Sequence, residues 1–200
     1  MIVNKYIYYF FFFLFIILTD LLYAQNIEFK RINFKTDKKG LKAAKNSIQV
    51  GDEFRQKAIL NLLNSQDASY EAKNAIFHYY KAQSFNSNNA NLNYKIGSML
   101  LLTNNKELAW DYFEKARSFN TVLDDYFDFF YAIALQLDTK YDKALESYKY
   151  FLDNSKKKIV SDFNSLVKKY IQECKNALEL LKYEQKAWVD NLAINSEYDD

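Results

Sequence analysis

The chain has 200 residues and a net charge of +2, and half of its residues are hydrophobic. It contains three glycines and no proline, which excludes an all-β sandwich or barrel because such folds need many turn residues. The balanced charge argues against a nucleic-acid-binding protein or a polybasic membrane protein. We therefore expect one mostly helical domain after any targeting segment is removed.

Residues 1–24 have the features of a secretory signal peptide. Lys5 lies in a short basic start, an apolar run follows over residues 6–18, and a Leu-Tyr-Ala sequence ends at Ala24. The run of about 13 residues is shorter than the ~20 that span a bilayer, and Asp20 interrupts it. We predict cleavage after Ala24 and export to the periplasm, with outer-membrane association as a further expectation. The alternative is an uncleaved segment that anchors the protein in the membrane.

Residues 25–55 are predicted to be an N-terminal segment with one short helix. The stretch Gly40–Ile48 is rich in alanine and lysine, which indicates a short helix before the main body of the fold. We expect this helix to flank the repeats that follow.

A 34-residue pattern is repeated along the centre of the chain. The pentapeptide at residues 82–86 recurs, with one substitution, at residues 116–120, and Ala75 corresponds in the same way to Ala109. A small residue followed four positions later by an aromatic ring marks each copy, and apolar residues recur every three or four positions, as in paired helices. These patterns predict three helix-turn-helix units that bury their apolar faces against one another, over residues 56–89, 90–123 and 125–158.

The region after the repeats is predicted to contain a capping helix and a tail. Residues 159–183 carry apolar side chains at helical spacing and lysines that give the helix a polar outer face. The apolar positions are Val160, Phe163, Val167, Tyr170, Ile171, Cys174, Leu178 and Leu181. Residues 184–200 are predicted to form an extended, linker-like tail.

The repeats resemble the tetratricopeptide repeat (TPR) family, whose 34-residue unit pairs two helices with small and large apolar residues at set positions. The first copy departs from the family pattern at Leu63, where a small residue belongs, and the third departs at Phe151, where the last alanine belongs. The central copy fits best, through Ile96, Gly97, Leu100, Ala109, Phe113 and Ala116. The resemblance implies an all-α solenoid of about three helical hairpins, with a flanking helix and a C-terminal capping helix.

The tail from residue 190 onward resembles a linker in exported Bacteroidetes proteins that begin with a TPR block. In that family, the linker leads to a WD40-like β-propeller and an OmpA-like peptidoglycan-binding domain. The resemblance implies a cell-envelope location. The functions of the propeller and of the peptidoglycan-binding domain are not carried over, because the chain is either a truncated member or a product that acts through the TPR block alone.

The TPR resemblance also implies a binding surface, because the first helix of each TPR unit lines the concave face of the solenoid. We expect this face to bind a peptide or a helix of another envelope or secretion-system protein. The alternative is that the N-terminal segment or the capping helix partly covers it. The positions that would line the groove are Lys57, Leu60, Asn64, Tyr94, Ser98, Leu101, Tyr126, Phe129 and Ile133.

Catalytic chemistry is not indicated by the sequence. His78 is the only histidine and Cys174 the only cysteine, so we expect an ordinary helix position and a buried thiol, respectively. No two glycines are close enough for a phosphate-binding loop, and the acids Asp124, Asp125 and Asp128 are typical of a helix start. We expect no enzymatic activity, cofactor, metal or nucleic-acid partner. A rival function is that of a small-molecule or glycan carrier, which the high Tyr and Phe content suggests and a closed apolar pocket would favour.

Overall fold

The computed structural model describes residues 25–196, with side chains described as far as residue 188. This part of the chain is all-helical and contains no strand, which confirms the predicted all-α class. The predicted signal peptide, residues 1–24, lies outside the described residues. The seven α-helices are α1 (Lys38–Leu63), α2 (Ser69–Phe85), α3 (Ala90–Leu100), α4 (Ala109–Ser118), α5 (Phe127–Leu137), α6 (Tyr141–Asn154) and α7 (Lys157–Ser196).

The helices pack mainly as consecutive pairs, α1 with α2, α3 with α4 and α5 with α6, and α7 packs against α6. The odd-numbered helices also meet one another. Helix α3 contacts both α1 and α5, and α7 contacts both α5 and α1. Four helices therefore surround a shared interior, because the last of them returns to the first.

Small residues allow close packing within the helix pairs, as the repeated pattern predicts. Ala75, Ala109 and Ala144 are fully or almost fully buried, and so are the rings that follow each of them, including Tyr79 and Phe113. A Cβ atom added at Gly51 would lie 2.5 Å from the Tyr79 ring, whereas one added at Gly97 would lie 3.2 Å from the Phe113 ring. The small positions therefore leave room for large rings of the partner helix.

The first helix differs from its prediction. The sequence indicated a short helix over Gly40–Ile48 and a repeat boundary between residues 55 and 56, but α1 runs without interruption from Lys38 to Leu63. The Asp37 side chain caps its start by accepting a hydrogen bond from the Gly40 amide at 2.7 Å. The predicted short helix and the predicted boundary are therefore wrong. Gly51 lies inside α1, where it makes room for the Tyr79 ring and does not end the helix.

The tail also differs from its prediction. The extended conformation predicted for residues 184–200 is wrong for residues 184–196, which continue α7. The predicted capping helix, residues 159–183, is the middle part of this 40-residue helix. No glycine or proline follows Gly97 in the sequence, so neither of the two strongest helix breakers interrupts α7.

The N-terminal segment is attached to the turn between α2 and α3. The Ile27 amide donates a hydrogen bond to the Asn88 carbonyl at 2.6 Å, and the Ile27 carbonyl accepts from the side-chain amides of Asn86 and Asn89 at 2.8 and 3.0 Å. The Phe34 ring packs on the Phe85 ring with their centroids 4.8 Å apart. These contacts fix residues that lie directly after the predicted cleavage position.

Candidate functional site

The predicted concave face is not an open groove. Tyr94, Ser98 and Phe129 are fully buried and Leu101 is only 9% exposed, so the prediction that these four line an accessible surface is wrong. Tyr94 contacts Arg55 of α1 and the Phe127 ring of α5, and Phe129 packs against the Phe163 ring of α7. Of the remaining positions, Tyr126 and Ile133 are partly buried and pack against the core, whereas Lys57, Leu60 and Asn64 lie exposed on or just after α1.

A buried arginine occupies the interior where the groove was expected. Arg55 on α1 donates hydrogen bonds to the Tyr94 hydroxyl and, at 3.3 Å, to the Asp124 carboxylate. Its guanidinium carbon lies 5.2 Å from the centre of the Tyr94 ring and 5.5 Å from that of Tyr126. Burial alone would lower the pKa of Arg55, but Tyr94 and Asp124 raise it overall, which keeps the side chain charged. Arg55 thus joins α1 to α3 and to the loop before α5.

A second ion pair lies beside Arg55. The Lys95 ammonium contacts both oxygens of Asp52 at 2.7 and 2.8 Å, and the Tyr79 hydroxyl donates to the same carboxylate at 2.7 Å. Burial raises the pKa of Tyr79 far above its usual value, so the phenol stays neutral. In this interior two cations are matched by two carboxylates, and the arrangement holds helices together without leaving a charge for a ligand.

The remaining candidates for chemistry have structural surroundings. His78 packs against the Phe54 ring at a centroid distance of 6.0 Å. Cys174 is buried, as expected, and burial raises the pKa of its thiol to about 11, so it stays protonated at neutral pH. Asp125 pairs with Lys156 at 2.8 Å. Within the described residues, no cluster of three or more histidine, cysteine or acidic side chains is placed to bind a metal ion.

An accessible cleft lies elsewhere, on the outer side of α4, α5 and α6. We refer to it as the α4–α6 cleft, and its volume is about 670 Å³. Its aromatic wall is a stack in which the Tyr131 ring lies 6.0 Å from Trp110 and 5.5 Å from Phe127, with interplanar angles of 20° and 11°. Tyr150, which is 56% exposed, lines the side formed by α6. Trp110, Phe127 and Tyr131 are partly buried and pack against the core, so only part of this aromatic wall faces the cleft.

Charged groups of both signs border this aromatic stack. The Arg117 guanidinium lies 4.7 Å from the centre of the Tyr131 ring and donates a hydrogen bond to its hydroxyl. The Lys140 ammonium lies 4.2 Å from the centre of the Trp110 ring. Burial raises the pKa of Asp128, although nearby Arg117 opposes the shift. Asp128 is thus a partly desolvated carboxylate that forms no ion pair with any described residue.

The α4–α6 cleft continues into a neighbouring one of about 550 Å³ at the loop between α4 and α5. The two share Arg117, Phe127, Asp128 and Tyr150 as lining residues. The two depressions are therefore contiguous, and Asp128 is one of the residues where they meet.

Sequence reasoning did not identify this site. Helical periodicity separates core positions from the rest, but it does not show which partly exposed rings of different helices lie together. The one signal available was the density of Trp, Tyr and Phe around residues 110–131, which also suits an ordinary core. The site depends on the way in which α4, α5 and α6 pack.

Comparison with known proteins gave no family for this chain. No family model, no curated protein and no solved structure matches it. Within the described residues, no helix combines the length and the apolar character needed to cross a membrane. The resemblance to TPR proteins remains a prediction that rests on the 34-residue pattern.

Proposed function

We propose that the protein is a non-enzymatic scaffold of the bacterial cell envelope, built as a TPR-like solenoid, which holds a peptide segment of another protein in the α4–α6 cleft. The observation that carries the proposal is the partly buried stack of Trp110, Tyr131 and Phe127, which lines the cleft beside Asp128, a carboxylate without an ion pair among the described residues. Rigid aromatic side chains that are already held in place contribute strongly to protein interfaces, because little entropy is lost when they bind.

The charges of the cleft indicate what the peptide should carry. Asp128 is partly desolvated in the free protein, and further burial would be costly unless a cation or hydrogen-bond donor joined it. A lysine or arginine of the peptide would supply that partner. Arg117 is already engaged with Tyr131 and lies 3.6 Å from Glu114, so it is less available to an acidic peptide. We therefore propose an extended segment that places a basic side chain beside Asp128.

A glycan carrier is a weaker reading of the same cleft. Sugars bind to proteins by lying on free aromatic faces, but the Trp110 ring already stacks on Tyr131 and lies beneath the Lys140 ammonium. The cleft is also open to solvent and lined by many charged groups, whereas small-molecule sites are mostly apolar and enclose most of the ligand. These features favour a peptide.

The proposed location follows from the N-terminal pattern of residues 1–24, which resembles a secretory signal. Export would place the cleft in the periplasm, where segments of envelope or secretion-system proteins are available as partners. A direct measurement is protease accessibility of the protein in intact cells compared with cells whose outer membrane has been opened.

Site-specific crosslinking in cells tests the proposed site. A photoreactive phenylalanine analogue would replace Tyr150, which lines the cleft, or Tyr70, a matched control on α2 that is 69% exposed. We expect a discrete protein adduct from position 150 and none from position 70. We also expect Asp128→Asn to weaken the adduct at position 150, because the paired charge is lost.

Other outcomes count against the proposal. Equal adducts at both positions would indicate non-specific contact. The absence of an adduct at position 150, with the protein folded and abundant, would mean that the cleft holds no protein partner.

A further inference from the structure

The last part of α7 extends past the body of the protein. Every described side chain from Glu179 to Trp188 is exposed, so this part of the helix packs against nothing in the described structure. Residues 179–196 would span about 27 Å at the helical rise of 1.5 Å per residue. We refer to residues 179–196 as the distal segment.

An apolar stripe continues from the packed part of α7 into the distal segment. Phe163, Val167 and Cys174 are fully buried, and steps of three, four or seven residues along the same side of the helix lead to Leu181 and Trp188. These two side chains are 41% and 64% exposed. The side of the helix that forms the core in the first half of α7 is thus uncovered in the second half.

Lysines run along one edge of this stripe. Lys168, Lys175 and Lys182 are separated by seven residues, a spacing that drifts by only about 20° around a helix, and Lys186 lies one turn beyond Lys182. All four are exposed, and none forms an ion pair with a described side chain. Glu179 and Lys186 are seven residues apart and share a position on the lysine side that is farther from the stripe, and Glu184 lies at the opposite edge of the stripe. The border of the stripe beside Leu181 therefore carries Lys175 and Lys182 on one edge and Glu184 on the other.

We propose that the distal segment is a docking site for an amphipathic helix of a different protein, one whose apolar stripe is bordered by acidic residues. Leu181 and Trp188 would pack against apolar residues of the partner helix, as a and d residues do in a coiled coil. Lys175 and Lys182 would face its acids, and such flanking pairs set partner choice and orientation.

A second copy of the chain fits this surface less well. In an antiparallel pair related by a two-fold axis, each edge of one helix faces the identical edge of the other. The lysine edges would therefore face each other. In a parallel pair, Lys175 and Lys182 of each copy would meet an edge whose described acid near the stripe is Glu184 alone. Like charges opposed across a helix pair are destabilising.

A membrane surface also fits less well. An interfacial helix places its apolar stripe in the bilayer, and lysines and arginines on its polar face attract anionic lipid. Here one border carries lysines, but the other carries Glu184, which anionic headgroups would repel. A partner helix whose two edges carry different charges matches this pattern better than a membrane surface does.

The docking site is tested with a synthetic helical peptide of about 21 residues, which has leucines at a and d positions and glutamates along one edge. A matched peptide carries lysines in place of those glutamates. Binding of the fluorescein-labelled peptides to the purified protein is followed by fluorescence anisotropy. We expect the glutamate peptide to bind at least about tenfold more tightly than the lysine peptide, a difference of about 1.4 kcal/mol.

Four variants locate the binding. Leu181→Ala should weaken binding of the glutamate peptide at least about fivefold, whereas Leu180→Ala, a matched change at a 64% exposed leucine off the stripe, should change it by less than about twofold. The double variant Lys175→Glu and Lys182→Glu should reverse the peptide preference. Trp110→Ala, in the α4–α6 cleft, should leave binding unchanged, which separates this site from the proposed function. Circular dichroism confirms that each variant keeps its helix content.

Several results would overturn this docking site. Equal binding of both peptides, or of neither, would exclude a charge-selective helical partner. A concentration-dependent dimer of the protein alone, lost in Leu181→Ala, would show that a second copy is the occupant. Binding to phosphatidylglycerol vesicles without peptide selectivity would assign the segment to a membrane surface.

Discussion

Two regions of the molecule contain the same kind of arginine cluster, one of them buried and the other exposed to solvent. In the interior, Arg55 lies against a tyrosine ring and pairs with an acid, and at the surface Arg117 does the same. The side chain of Arg55 is 8% exposed and that of Arg117 is 52% exposed. The distances from guanidinium carbon to tyrosine ring centre are 5.2 and 4.7 Å. The local geometry is therefore similar, and the main difference is how far each arginine side chain is exposed to water.

That difference decides what each cluster can do. Around Arg55, water is largely excluded and removal of one partner would leave a charge that nothing else solvates. Around Arg117, water and salt replace a lost partner at little cost. The interior cluster therefore determines how the helices fit together, whereas the surface cluster can exchange its contacts for those of a partner.

The largest expected effect comes from removing the two arginines in turn. Arg55→Ala should lower the free energy of unfolding by about 3–5 kcal/mol, because Asp124 and Tyr94 lose their buried partner. Arg117→Ala should lower it by about 0–1 kcal/mol, since the side chain is half exposed. Urea unfolding followed by circular dichroism gives both values. Similar losses in the two variants would mean that burial does not distinguish the clusters.

A smaller effect tests how rigid the interior is. Gly51→Ala would place a Cβ atom 2.5 Å from the Tyr79 ring, which is held by its hydrogen bond to Asp52, so we expect a loss of about 1–3 kcal/mol. Gly97→Ala would meet the Phe113 ring at 3.2 Å, and the better helix propensity of alanine, up to about 1 kcal/mol, should offset most of that strain. Thermal unfolding compares the two variants. Equal stability would show that Tyr79 moves aside freely.

The smallest effect concerns the surface cleft. The pKa of Asp128 is raised in the folded protein, so the stability that this group contributes is greatest below its unfolded pKa and decreases as the pH rises through the folded value. Asp128→Asn removes the charged form. We expect it to stabilise the protein at pH 7 by less than about 1 kcal/mol and to have no effect below about pH 4.

The matched control for this change is Asp125→Asn, which removes the ion pair with Lys156 and should not stabilise the protein at pH 7. Denaturant midpoints of the variants at several pH values provide the comparison. A loss of stability in Asp128→Asn at pH 7 would show that attraction to Arg117 outweighs desolvation of the carboxylate.

The helical class and the packing of small residues against rings could be predicted from the sequence, because both follow from spacing along one chain. Ala75, Ala109 and Ala144 are buried where the pattern placed them. Helix ends could not be predicted as well. Gly51 suggests a break in isolation, but its role depends on Tyr79 of the next helix, a contact that no local pattern contains.

The candidate site was harder to predict than the fold. The TPR resemblance predicts Tyr94 and Phe129 in a groove, because the first helix of each TPR unit lines one. Both side chains are fully buried, and α7 closes the interior by returning to α1. Whether the helices of such a protein leave a groove or fill it depends on the summed volume of side chains from four helices. That sum is a property of the three-dimensional packing and not of any repeat unit.

The attachment of the N-terminal segment constrains the order in which the protein can fold. The Asn26 side chain accepts a hydrogen bond from the Ala90 amide, 64 residues later in the chain. At ribosomal rates of about 5–20 residues per second, roughly 3–13 s separate the synthesis of the two residues. During that time the first residues of the described fold have no partner, so a newly made chain keeps its N-terminus free for other cellular factors until the third helix begins to appear.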